Sequence, residues 1–179
     1  MIRAIMLALL AAAPAAFTPA AFTPAAAGEI WVTNEKDDTI SVIDTETLEV
    51  TRTIPTGERP RGIVFSHDFS RVYICASDSD AVQVMDPASG EILHDLPSGE
   101  DPEQFALHPD DRRLYIANED DAIATVVDVE TRRVIAQIDV GIEPEGMAVS
   151  PDGRIAIAPH LASGLFCVYS RRNDQPTLQ

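Results

Sequence analysis

Three copies of one pattern, each displaced from the last by 42 positions without a gap, constrain this chain more than any other feature. The spacing relates Asp128 to Asp86 and Asp44, Gly141 to Gly99 and Gly57, and Pro144 to Pro102 and Pro60, with Tyr115, Tyr73 and Trp31 in the same register. A fixed period of about 40 residues carrying about four short strands marks a β-propeller blade, a unit that needs neighbours on both faces to bury its apolar side chains. The expected class is all-β: a partial β-propeller of about three four-stranded antiparallel blades, with repeats at about 30–71, 72–113 and 114–155 inside residues 28–155. Closed rings take about four to eight blades, so an open arc is expected, with self-association through its uncovered apolar faces.

Each copy reads as four strands. Ile30-Trp31-Val32-Thr33, Val72-Tyr73-Ile74-Cys75 and Leu114-Tyr115-Ile116-Ala117 are unbroken apolar or small runs, as a strand covered on both faces requires. The next strand ends at Asp44, Asp86 and Asp128, each followed three residues on by Thr47, Ser89 or Thr131. That spacing lets a side-chain oxygen satisfy the free N–H groups of a turn, so these aspartates read as structural. The fourth, outermost strand of the blade is half polar, with Val50, Arg52 and Ile54 repeated as Ile92, His94 and Leu96. After the glycine and proline landmarks comes an inner strand, in which Gly62 and Gly146 fit crowding near an axis. The first copy lacks that inner strand.

The ends depart from the repeat. Residues 1–27 carry Arg3, an apolar run from Ala4 to Ala13 and a tandem Ala/Pro spacer, AAFTPAAFTP. They read as a secretory signal peptide, cleaved after Ala27 or Ala15, which places the mature chain in the periplasm or outside the cell. The apolar run is too short to span a bilayer. At the other end, Pro159 falls where a central strand should continue, and residues 156–179 read as an irregular or disordered tail.

Charge narrows the partners. The chain has 29 acidic and 13 basic side chains and a formal charge of −16, which opposes nucleic acid and anionic membranes because both demand clustered cations. Lys36 is the only lysine. Cys75 holds the register of Thr33 and Ala117 and reads as a small core residue, and a bridge to Cys167 is neither required nor favoured by the spacing. No C-x-x-C-H stretch is present for covalent haem, and the four histidines occupy different parts of the repeat, without ligand spacing. No metal or other cofactor is expected, and no catalytic nucleophile with its base is recognisable.

The runs IWVTNEKDDTISVID, VYICASDSDAVQVMD, LYIANEDDAIATVVD, PRGIVFS and PEGMAVSPDG resemble the YVTN-type β-propeller repeat. More narrowly, they are similar to periplasmic propeller proteins associated with pyrroloquinoline-quinone-dependent catabolism of alcohols. That resemblance implies a non-catalytic interaction module accessory to quinone-dependent oxidation. The alternative is a fragment of a propeller enzyme, either a lactonase or a quinoprotein or amine-dehydrogenase-like chain. Against direct quinone binding, Asp86-Pro-Ala-Ser89-Gly90 resembles half of a tryptophan-docking repeat, but His94 stands where the tryptophan would be.

Antiparallel order sorts the loops onto two rims. One collects Glu35, Asp37, Asp38, Asp78, Asp80, Glu119, Asp120 and Asp121 from the loops between second and third strands, and Glu58, Glu100, Asp101, Glu103, Glu143 and Glu145 from the links between blades. Only Lys36, Arg59 and Arg61 oppose them. Arg61, Glu103 and Glu145 share one register at the start of the inner strand and read either as a polar channel mouth or as loop charges with no ligand. The rim reads either as solvated turns that aid solubility or as an anionic face for a basic periplasmic protein such as a c-type cytochrome.

Overall fold

A computed structural model describes residues 28–159 and, as backbone, two strands beyond them at 166–172 and 175–178. The segment expected to be a signal peptide lies outside the described residues. The first sheet contains β1 (Glu29–Asn34), β2 (Thr39–Asp44) and β3 (Val50–Pro55), in that order. The second contains β4 (Pro60–Phe65), β5 (Val72–Ala76), β6 (Ala81–Met85) and β7 (Ile92–Pro97), and the third β8 (Pro102–Leu107), β9 (Arg113–Asn118), β10 (Ile123–Asp128) and β11 (Arg133–Asp139). Every pairing is antiparallel between consecutive strands. Among the described residues the first sheet has three strands and no inner strand, and the all-β partial propeller stands.

The apolar run of each second strand is explained by its two buried faces. Val72 and Ile74 of β5, with Met85, pack back onto Ile40, Val42 and Ile54 of the first sheet. Tyr73 and Cys75 of the same strand point the other way, where they join Val84 and Leu96 against Leu114, Ile116 and Val127 of the third sheet. Alternation along one strand thus feeds two cores, and fully burying one such Ile or Val side chain stabilises by about 1.5–3 kcal/mol.

The turns repeat as exactly as the cores. Left-handed backbone recurs at four registers: Asp38, Asp80 and Ala122; Leu48, Gly90 and Arg132; Arg59, Asp101 and Glu143; Phe69, Asp111 and Gly153. Ten of these twelve are not glycine, so it is the repeat, more than local preference, that sets the conformation. A bulge also recurs, between Val42 and Ile43, Val84 and Met85, and Val126 and Val127. The aspartates at the ends of the second-to-third-strand runs act as read: Asp44 Oδ1 accepts the N–H groups of Glu46 and Thr47 at 2.8 Å, and Asp128 Oδ1 accepts that of Thr131 at 2.8 Å. The Thr131 N–H and the Arg112 guanidinium hold the Asp128 carboxyl down at about 2.

The expected disordered tail is corrected. A fourth sheet forms from β12 (Ala148–Val149), β13 (Ile155–Pro159), β14 (Phe166–Arg172) and β15 (Gln175–Leu178). Pro159 is the last residue of β13 and pairs with Phe166 at the end of the ladder, where a missing donor interrupts nothing beyond it. Gly146 makes room for it, since a Cβ there would stand 3.0 Å from the proline ring. Ala156 and Ala158, 4% and 2% exposed, take the places of Leu114 and Ile116 against Tyr115, Val126 and Ile138. Cys75 is a free, buried thiol, and the side chain of Cys167 lies outside the described residues.

Candidate functional site

The rim that carries most of the acidic residues is built by two kinds of loop that bond to each other. At two junctions a carboxylate from the loop after a second strand accepts an N–H from the link to the next sheet, Asp38 Oδ1 from Arg59 at 2.9 Å and Asp80 Oδ1 from Asp101 at 3.0 Å, and that second link is also held from its far side, where Asp121 Oδ2 accepts the Glu100 N–H at 2.8 Å. These three side chains hold the links in place. Their oxygens are committed to backbone donors, so they shape the rim as well as charging it.

Arg59 and Arg61 tie three sheets together. Arg59 reaches Glu35 at 3.1 Å and Asp78 at 3.4 Å among the loops of the first two sheets, then Asp101 at 3.0 Å and Glu103 at 3.4 Å on the third. Arg61 binds Glu35 at 3.2 Å and closes directly on Glu103. Glu103 is 1% exposed. Burial pushes its carboxyl up to about 7; Arg61 and Arg59 pull against that shift, while Asp101 and Glu119 add to it. Asp101, Glu103 and Glu119 bring one carboxylate oxygen each within 4.8 Å of one another, but both Glu103 oxygens already face guanidinium groups. The cluster is an ion-pair network more than a cation cage.

The three candidates for a channel mouth are placed differently. Arg61 and Glu103 meet, but as a pair between adjacent inner strands, with the glutamate sealed beneath the arginines. Glu145 is half-buried in the link before β12 and takes no part in that network among the described residues. Asp37 and Asp120 are exposed, as are Glu58 and Glu100, whereas Glu119 is half-buried beside Glu103. A cleft of ≈ 360 Å³ opens between the first two sheets, lined by Glu35, Lys36, Asp38, Glu58, Arg59 and Asp78.

Residues 2–121 match the family described as the YNCE-like beta-propeller. The chain belongs to that family. No curated protein matches it. Among solved structures it is similar to hydrazine synthase of Kuenenia stuttgartiensis, at 19% identity and a TM-score of 0.72, over 84% of this chain and 46% of that one. It is also similar to a functionally unknown protein from Desulfotomaculum acetoxidans DSM 771, at 17% identity and a TM-score of 0.64, over 79% of this chain and 47% of that one. Both likenesses concern the fold, and the chain spans just under half the length of each.

Within this YNCE-like arc, the residue that reading by type undervalued is Arg59. Its signal was present: Arg59 and Asp101 share a register, as do Arg61 and Glu103. Opposite charges at one register of consecutive copies become neighbours across a blade junction. On the other rim, contacts also cross between copies, though between residues of different registers: His67 Nδ1 lies 2.6 Å from Asp111 Oδ1, and His108 Nε2 lies 3.1 Å from the Gly153 carbonyl.

Proposed function

We propose that this YNCE-like chain is a non-catalytic periplasmic or secreted interaction module that presents its acidic rim to a basic protein. One observation carries the reading. The two rim arginines are consumed by Glu35, Asp78, Asp101 and Glu103, so among the described residues Lys36 is the one rim cation left to offset the exposed carboxylates of Asp37, Glu58, Glu100 and Asp120. Such a face attracts a positively charged partner and repels an acidic one. The cleft beside Lys36 adds the carboxylates of Glu35, Asp38, Glu58 and Asp78 to that face. The sequence resemblance points to a lysine-ringed c-type cytochrome of quinone-dependent alcohol oxidation as that partner.

The test separates charge from scaffold. Replacing Asp37, Glu58, Glu100 and Asp120 by Asn or Gln removes charge without touching the carboxylates that brace the links. Binding to a basic cytochrome, followed by calorimetry, is expected to weaken by about tenfold or more for this variant, since several charges contribute to attraction. Neutralising Arg132 and Arg133 on the opposite rim is expected to leave binding unchanged. Equal losses from both sets, or turnover of a lactone or quinone substrate by the purified chain, would overturn the proposal in favour of ordinary solubilising turns or of a propeller enzyme.

A further inference from the structure

Glu103 joins the interior of the third sheet to the open surface of the rim. Its side chain is buried, yet both its oxygens meet guanidinium groups, one from Arg59 at 3.4 Å and the other directly from Arg61. Arg59 also lines the rim cleft beside Glu35, Glu58 and Asp78. A change of charge on Glu103 therefore passes through one side chain to the exposed face. Around this pair the charges do not balance. Glu35, Asp78, Asp101 and Glu103 share Arg59 and Arg61, and Glu119 adds a fifth carboxylate, with an oxygen within 4.8 Å of oxygens of Asp101 and Glu103. Cys75 of β5 also faces the pair, but burial pushes its thiol up, so it stays neutral. Carboxylates packed this closely, with too few cations to share, cannot all ionise without cost, and the one denied water takes up a proton most readily. Burial pushes the Glu103 carboxyl up, helped by Asp101 and Glu119 and opposed by Arg61 and Arg59. The exposed Glu35, by contrast, is held below its ordinary value by its hydrogen bond from Arg59 and by Arg61.

We infer that Glu103 regulates the rim by gaining and losing one proton, an inference that rests on the reading of that rim as the face for a basic protein. Ionised, Glu103 cancels guanidinium charge, and the rim is at its most anionic. Protonated, it returns one positive charge to Arg59 and Arg61, and the hold on a basic partner weakens. Linkage is reciprocal, so a bound basic partner draws the proton off Glu103. Binding is tightest above the pH at which Glu103 ionises and weakens as pH falls through it.

Calorimetric titration with a basic c-type cytochrome, from pH 6 to pH 8, reads this directly. Lysine and arginine keep their charge over that range, and comparison with Glu103→Gln removes what the partner and the histidines of the chain contribute. The wild type is expected to bind about fivefold more tightly at pH 8 than at pH 6. It is also expected to release part of a proton on binding near pH 7, where Glu103 titrates, seen as a binding heat that depends on the buffer. Glu103→Gln stands in for the protonated form and is expected to bind at the weaker level throughout, with no such release. Glu119→Gln removes a like charge and is expected to move the transition to lower pH without abolishing it, a shift that a merely structural Glu103 would not give. No binding at any pH overturns the rim reading and this inference together. Binding with the same pH dependence in the wild type and Glu103→Gln, or a transition unmoved by Glu119→Gln, overturns this inference alone.

Discussion

Leu48 shows how the repeat overrides a single residue. It sits in left-handed backbone, with its N–H bonded to the Asp44 carbonyl at 2.9 Å, while the next copy places Gly90 in the same turn with its N–H on the Asp86 carbonyl at 2.8 Å. Its side chain is 74% exposed and so has little packing to lose. A left-handed non-glycine residue costs about 1–2 kcal/mol, and glycine gives back about 0.5–1 through its freer unfolded chain. Leu48→Gly should therefore stabilise by about 1 kcal/mol, seen as a higher denaturant midpoint at unchanged slope; a lower midpoint contradicts it. Glu103 gives a second test at this scale. Its folded carboxyl titrates near 7, above its ordinary 4.5, so between those values the folded state holds a proton that the unfolded chain has released. Stability must then fall as pH rises through that window. The difference between the wild type and Glu103→Gln, taken from thermal midpoints, should decline from pH 4.5 to 7 and level off above; a flat or rising difference rules out the shift.

At the scale of elements, the three full copies were legible because each strand's apolar pattern states how many faces it buries. β5 is the clearest case, and Ile74→Ala should cost about 2–5 kcal/mol, measured by chemical denaturation, because Ile74 is 0% exposed between two sheets. An effect below 1 kcal/mol would mean the junction is looser than drawn. The fourth sheet was not legible for a physical reason. Ala156 and Ala158 are small enough to be read as loop, and Pro159 reads as a breaker unless its place at the end of the ladder is known. The tight approach of Gly146 to that proline is likewise a tertiary fact. For the candidate site, the acidic rim followed from strand order alone. Which carboxylates brace loops, and which lie buried under an arginine, depended on distances between copies that residue type does not encode.

For the whole molecule, the repeat produces the acidic rim. Repeating one unit brings every inter-sheet link to one rim, where acidic loops accumulate. Attraction across a rim of exposed carboxylates is screened beyond roughly 8 Å at physiological ionic strength. The most direct measurement is the association rate constant of the chain with a basic c-type cytochrome, by stopped flow, as ionic strength is raised. An electrostatically steered encounter should slow by about tenfold or more between low and physiological salt, and the variant lacking the Asp37, Glu58, Glu100 and Asp120 charges should lose most of that dependence. A rate that is the same at all salt concentrations, or a dependence that survives those four substitutions, would contradict the anionic rim as the binding face.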